Sequence, residues 1–368
     1  MNKKSILLCL RLPNPLHGES LMSQYIVQSE LLNDRFDFKI IDIKSSNEIG
    51  DIEKFRVKKL FTIFKIYASL CKHFIYYKPQ LVYISLSPTG IPFIKDSIIV
   101  LLAKLFRVKI LVHLHGKGIG NNKKFIYKKL YRIVFNKIFC ICLSKKLTSE
   151  VERFNLKKIY ILNNGIESIE FQKNNNSPSE LSTIRILFLS NLIKEKGIFT
   201  FLNTCAKLKS LSIKFEATII GKPFDVTDID IDNFTKEHQL VNSLFYLGSR
   251  YGAEKFEIIK RSHVLIFPTS YKNEAFPLVL LEALQFGLVP ITTDEGGITD
   301  IIENNVNGFI VHADDSDQIA ESIKYLQNNP LVYHKLSERG IQQFNEKFKI
   351  ETFENNLSNI FNDALQEY

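Results

Sequence analysis

Two carboxylates, Glu274 and Glu282, punctuate the segment Lys272 to Gly287, which reads KNEAFPLVLLEALQFG. Leu278, Val279, Leu280, Leu281, Ala283 and Leu284 surround the second of them. Helical spacing leaves that run no polar face, which predicts a helix buried on all sides. An ionised carboxylate in such a helix needs a partner, because an unpaired buried charge is strongly destabilising. No basic residue lies within seven positions of Glu282. A ligand rich in hydroxyls, such as a nucleotide ribose, would supply the partner.

The local grammar agrees with a ligand site. Pro277 suits a first helical position and Gly287 the residue just past the end. Glu274 then falls in the turn before a helix start, where free backbone N–H groups attract phosphate. The spacing alone is not distinctive: Glu295/Glu303, Glu338/Glu346 and Glu346/Glu354 repeat it on what read as solvated faces. Context carries the signal.

Other candidates lie at similar places. Lys196, in SNLIKEKG, precedes Gly197 and a predicted helix. Its ammonium and the helix start together could neutralise a diphosphate as it leaves. His115, in LVHLHG, ends a predicted strand, while His113 is expected on the opposite sheet face in a structural role. Gly18, in LHGES, and the pair Gly296-Gly297 each open a predicted helix, where a backbone without Cβ can approach a sugar or phosphate closely. Ser144 follows another strand. The acidic triplets Asp228/Asp230 and Asp230/Asp232 sit in a connector and read as a solvated loop rather than metal ligands.

These residues need a scaffold, and the pattern supplies one. Short β-branched and aromatic runs alternate with helical patterns, which predicts parallel α/β architecture. The expected strands are Ser5–Leu12, Phe36–Ile43, Leu81–Ser87, Val108–His115, Ile138–Ser144 and Lys158–Asn163, then Ile184–Ser190, Phe215–Gly221, Ser243–Gly248, Val264–Thr269, Val289–Thr293 and Gly308–Val311. Between the two groups Gln172 to Ser179 is polar and of low complexity, and reads as a linker. Open parallel sheets bind ligands at the carboxyl ends of their strands. Nearly every candidate falls at one.

Composition narrows the class. With 368 residues, 45% hydrophobic and 24% charged, the chain is long enough for two soluble domains. Five scattered cysteines read as buried reduced thiols. The N-terminal MNKKSILLCLRLPNP reads as a first strand rather than a signal peptide, and no apolar stretch is long enough to span a bilayer. Residues 1–170 carry 29 basic and 13 acidic side chains, a balance of +16, whereas the remainder carries 19 against 26. Lys58 to Lys78 and Lys123 to Lys137 mix cations with aromatics at helical spacing, a pattern suited to an anionic membrane surface. No nucleic-acid recognition motif accompanies the charge.

Glu274-Ala-Phe-Pro-Leu, Glu282-Ala-Leu, Gly287, Pro290 and Asp294-Glu-Gly-Gly297 together resemble the donor-site signature of family-four retaining glycosyltransferases. The resemblance is strong over Arg185 to Val311 and thinner over Ile6 to Glu167. It implies the GT-B fold: α/β, with two Rossmann-like domains whose parallel sheets face one another across a cleft. Domains at 1–168 and 169–349 follow, with the C-terminal helix, 350–368, packed back on the first. Carried over, Glu282 binds the donor ribose and Glu274 lies by the sugar and diphosphate. Lys196 then faces the diphosphate and His115 the donor sugar. Gly18, Asn191, Phe276, Leu278, Gly296 and Gly297 complete the donor site. Two positions depart from the pattern: Asn191 stands where an arginine is usual, and Glu19 where a second glycine is. Asn164-Gly165 resembles the turn between domains.

The implied enzyme uses neither metal nor cofactor. It moves a sugar from a nucleotide-sugar, most simply a UDP-sugar, to a saccharide or polyprenyl-diphosphate-linked acceptor in bacterial surface-polysaccharide synthesis. It would be cytoplasmic and peripheral on the inner face of the membrane. An epimerase on the same fold, or a non-catalytic nucleotide-sugar-binding subunit, are the alternatives.

Overall fold

The computed structural model describes residues 3–13, 18–44, 52–122, 124–170 and 181–367; the predicted linker Gln172 to Ser179 and the loop residues 14–17 lie outside them. The chain divides into two compact units, Met1–Gly165 with Ile350–Tyr368, and Ile166–Lys349.

The first unit is built on a sheet of β1 (Lys4–Leu10), β2 (Phe36–Asp42), β3 (Leu81–Leu86), β4 (Lys109–Leu114), β5 (Phe139–Cys142) and β6 (Lys158–Ile161). All pairings are parallel, in the order β2-β1-β3-β4-β5-β6. Its helices are α1 (Gly18–Gln28), α2 (Glu30–Arg35), α3 (Ile52–Lys72), α4 (Gly90–Leu105) and α5 (Phe125–Val134). Central strands such as β3 are buried along their whole length, as expected of a sheet covered on both faces.

The second unit holds β7 (Ile184–Leu189), β8 (Phe215–Ile220), β9 (Leu244–Tyr246), β10 (Val264–Phe267), β11 (Val289–Thr292) and β12 (Phe309–Ile310), again all parallel, in the order β12-β11-β10-β7-β8-β9. Between and after them run α6 (Ile198–Ser210), α7 (Asp228–Glu237), α8 (Gly252–Arg261), α9 (Leu278–Gln285), α10 (Ile298–Ile301), α11 (Ser316–Asn328) and α12 (Pro330–Gln343). The last helix, α13 (Ile350–Gln366), belongs to the first unit.

Every predicted strand is present, each trimmed by one or two residues at the carboxyl end, where the backbone leaves the ladder for a loop. The two strand orders are both doubly wound, but of different kinds. The first unit reverses direction between β1 and β3, the second between β7 and β10. At such a switch point two adjacent loops diverge to opposite faces of the sheet and leave a crevice between them.

The cores are separate. In the first unit Ile6, Leu8, Tyr83, Leu111 and Phe139 pack against Phe353, Leu357 and Phe361 of α13. Phe361 is fully buried and meets Phe36 and Tyr83 edge-on, at centroid distances of 5.4 and 5.5 Å. In the second unit Ile186, Phe188, Phe201, Ile219 and Ile266 form the equivalent layer.

Because α13 closes the first unit's core, Phe361→Ala should remove about 3–5 kcal/mol of its stability. Denaturant unfolding followed by far-UV circular dichroism checks this: the first unit's transition should move to lower denaturant and the second unit's should stay.

Candidate active site

The second unit brings two candidates from different strands into one contact. Lys196 ends a single 3-10 turn, Lys194–Lys196, after β7, and Glu274 lies in the loop after β10. These are the two strands flanking the switch point. The Lys196 ammonium donates to the Glu274 carboxylate at 2.5 Å, and both side chains are nearly buried. The Lys196 Nζ also lies 4.7 Å from the Tyr271 ring centroid and 5.5 Å from that of Phe267, within cation–π range. Gly197 makes the approach possible. Its φ is +87°, and a Cβ there would stand 2.4 Å from the Pro268 carbonyl oxygen.

Glu282 is where the structure corrects the sequence reading. α9 is not buried on all sides: Leu278, Val279 and Glu282 share a partly exposed face. The Glu282 carboxylate is not without a cation, since Lys255 of α8 donates to it at 2.6 Å. The side chains are 13% and 19% exposed. The protein itself therefore satisfies the charge, and the argument that a ribose must do so fails. Sequence distance hid the partner, which lies 27 residues upstream on another helix. A signal was present, because Lys255 precedes the fully buried Ile259 by one helical turn and so lies on α8's inner face.

The surrounding residues divide. α9 starts at Leu278 with Pro277 as the capping residue, one position later than predicted, and Gly287 adopts φ 71° just past its end. Phe276 is buried and meets Phe348 edge-on at 6.1 Å. Gly296 serves packing: a Cβ there would stand 2.2 Å from the Glu274 carbonyl oxygen. The Gly297 N–H donates to the Ala275 carbonyl at 2.6 Å, so this N–H is not free for a phosphate. Gly296 and Gly297 thus brace the Glu274 turn. Asn191 is exposed, and its carbonyl accepts from the Ile193 N–H.

In the first unit, His115 lies just past β4 and Gly18 begins α1. His113 does not face away from His115. Residues two apart in a strand share a face, and the two imidazole centroids are 4.0 Å apart. His113 is fully buried, its Nδ1 2.5 Å from the Tyr83 hydroxyl. Burial, then the neighbouring His115, pushes its pKa well down, so it is a neutral imidazole.

Sequence reasoning missed a charged cluster beside His115. Arg11, directly after β1, donates to Glu19 at 2.7 Å, to Asp96, to the Ser85 carbonyl at 2.7 Å and to the Ser87 hydroxyl at 2.7 Å. Glu19 also accepts from the Ser85 hydroxyl, and Asp96 from the Ser87 N–H at 3.0 Å. The cluster sits at the β1/β3 switch point. Asp96 is fully buried within the apolar α4, the same anomaly that drew attention to Glu282. Burial raises the Glu19 pKa, but Arg11, His115 and the hydrogen bonds from Ser85 and Arg11 outweigh it and hold the carboxyl below its ordinary range.

Comparison with known proteins bears on this second unit. Residues 169–343, almost the whole second unit, match the model of the family Glycosyl transferases group 1. The chain carries a group 1 glycosyltransferase domain. The capsular polysaccharide biosynthesis glycosyltransferase CapM of Staphylococcus aureus is 26% identical over 269 residues, covering 68% of this chain and 70% of CapM. Among solved structures, a glycosyltransferase from Rickettsia africae superposes over the full length of both chains with TM-score 0.77 at 18% identity. Anabaena Alr3699/HepE, in complex with UDP, covers 98% of this chain and 100% of its own, with TM-score 0.76 at 14% identity. These likenesses give the fold, which is GT-B.

Ser144 and the acidic triplets have partners in their own segments. The Ser144 hydroxyl accepts from the Leu147 N–H at 3.2 Å. Asp230 completes a capping box with Thr227 at the start of α7, so the acidic triplets lie on a helix and not in a loop.

Two outcomes follow for the glycosyltransferase. Lys255→Met strands the Glu282 charge and should cost about 2 kcal/mol, between the values for exposed and fully buried pairs; adding Glu282→Gln should recover most of it in urea unfolding. Glu19 has a depressed folded pKa, so its stabilisation is complete above the ordinary glutamate range and is lost as pH falls through the lowered value. Acid unfolding of Glu19→Gln should accordingly show a flatter loss of stability below about pH 4.5 than the parent.

Proposed function

We propose that this glycosyltransferase moves a sugar from a UDP-sugar to a saccharide or polyprenyl-diphosphate-linked acceptor in cell-surface polysaccharide assembly. In this reading the anomeric configuration is retained and no metal takes part. The observation that carries it is the Lys196–Glu274 pair at the β7/β10 switch point. A cation next to a carboxylate, at a switch-point crevice, can exchange partners. Lys196 leaves Glu274 for the donor diphosphate, and Glu274 is then free to accept from a sugar hydroxyl. Positive charge placed where the leaving group becomes most negative lowers the barrier. The departing diphosphate takes the proton of the acceptor hydroxyl. Glu282, already paired with Lys255, accepts in addition from the ribose hydroxyls. His115 and Gly18 are the sugar-side residues of the same reading.

The polysaccharide assignment draws on CapM, and the UDP donor on HepE, which was solved with UDP and with UDP-glucose. A peripheral site on the inner face of the membrane is supported by the basic first half of the chain. It is also supported by the exposed Phe125 and Ile126 of α5 and Phe61 and Phe64 of α3, which stand among lysines. Among the described residues, no helix is long and apolar enough to cross a membrane.

A thermal-shift screen of UDP-, GDP-, ADP- and CMP-sugars tests the donor, because a ligand that binds the native state raises the melting temperature. UDP-sugars should give the largest rise. Turnover of the donor so found should fall about 10²–10³-fold in Lys196→Met and in Glu274→Gln. Undiminished turnover in both would reject the assigned roles.

A further inference from the structure

A cavity of about 560 Å³ opens at the amino ends of β1, β3 and β4, the opposite end of the first sheet from His115 and the Arg11 cluster. Six- and seven-residue strands separate the two ends by roughly 20 Å. Lys4, Lys78, Arg107 and Lys109 line this cavity together with Phe74 and Phe106. No carboxylate lines it among the described residues. The Lys109 ammonium donates to the Leu365 carbonyl at 2.7 Å, and Lys4, Lys78 and Arg107 have no carboxylate partner among the described residues. Burial, then repulsion from Lys157 and Lys4, lowers the Lys109 pKa against the opposing effect of Glu367. Like charges gathered with too little counter-charge destabilise the fold that holds them. An anion in the cavity removes that repulsion.

An apolar track leads to the same place. Ile91, Ile94, Ile98, Leu101 and Leu105 of α4 are all exposed and recur at alternating intervals of three and four residues, a single stripe along the helix. The stripe ends at Phe106, which stacks on the buried Phe74 at 5.1 Å in the cavity wall. An amphiphile whose charged end fills the cavity can lay its apolar part beside this end of α4.

We infer that this cavity is a binding site for a phosphate group, supplied by the headgroup of an anionic lipid. The phosphate chemistry rests on the four cations, and the lipid source rests in addition on the membrane-facing reading above. The site lies at the far end of the first unit's strands from His115 and the Arg11 cluster, so its role in this reading is to anchor.

The test compares the full-length protein with K78Q/R107Q and with a control of equal charge loss on α5, K128Q/K129Q. Inorganic pyrophosphate, added with the donor site already saturated by the sugar nucleotide, should raise the melting temperature of the parent and of K128Q/K129Q but not of K78Q/R107Q. Co-sedimentation with phosphatidylcholine vesicles containing phosphatidylglycerol should weaken more in K78Q/R107Q, by about thirtyfold for two charges, than in K128Q/K129Q. A pyrophosphate shift that survives in K78Q/R107Q under these conditions would place the anion elsewhere and overturn the cavity. Equal loss of vesicle binding in the two variants, with no pyrophosphate shift in the parent, would overturn the cavity while leaving membrane attachment standing. A parent that is protected by pyrophosphate through the cavity yet ignores anionic vesicles would overturn the lipid source, and the membrane reading with it. Melting curves without anion, and retained protection of both variants by the donor sugar nucleotide, confirm that each variant is folded.

Discussion

Two ion pairs organise the second unit: Lys196 with Glu274, and Lys255 with Glu282. Each joins residues far apart in sequence, and each gives a nearly buried carboxylate a cation within hydrogen-bonding distance. An unpaired charge in such a water-poor site would be strongly destabilising. The glycines follow from the same constraint. Gly197 lets the Lys196 turn close on Pro268, and Gly296 lets the neighbouring loop press on the Glu274 backbone. A side chain at either position would push the loops apart and separate the charges.

The first unit solves a similar problem with a different fold order. Its switch point holds three charged residues, Arg11, Glu19 and Asp96, with an excess of one negative charge next to His115. Every one of these side chains is hydrogen-bonded to the end of β3 or to the loop after it, so the cluster ties the β1 loop to β3. Glu19, which stands where a relative would have a second glycine, is therefore part of the scaffold of that loop. At the other end of the same strands the electrostatics reverse, with cations gathered and no acid lining the cavity. Parallel strands make this division possible, because all their carboxyl ends lie on one side and all their amino ends on the other.

Most elements were legible because their signals are local. Short β-branched and aromatic runs mark the twelve strands of the described residues, and Gly287 and Lys196-Gly197 mark helix boundaries whatever surrounds them. The Glu274 turn was legible as a site, since Pro277 and the helix start define it within a few residues. Readings that depended on orientation or on distant partners fared worse. His113 and His115, two apart in one strand, share a face, and the composition of α9 does not reveal which of its sides the fold covers. Gly296 and Gly297 were identified as ligand contacts, although their close approach is to the protein's own backbone.

By itself, then, the sequence determined the alternation of strand and helix, the parallel class, the basic first half, and the carboxyl-end loops that hold the chemistry. Only the tertiary structure decided which cation neutralises which acid. Lys255 reaches Glu282, and Arg11 reaches Asp96, because adjacent elements of a doubly wound sheet converge, and a one-dimensional spacing contains no measure of that convergence. Backbone propensity acts over a few residues, whereas a buried charge is satisfied by whatever group the fold brings within about 3 Å.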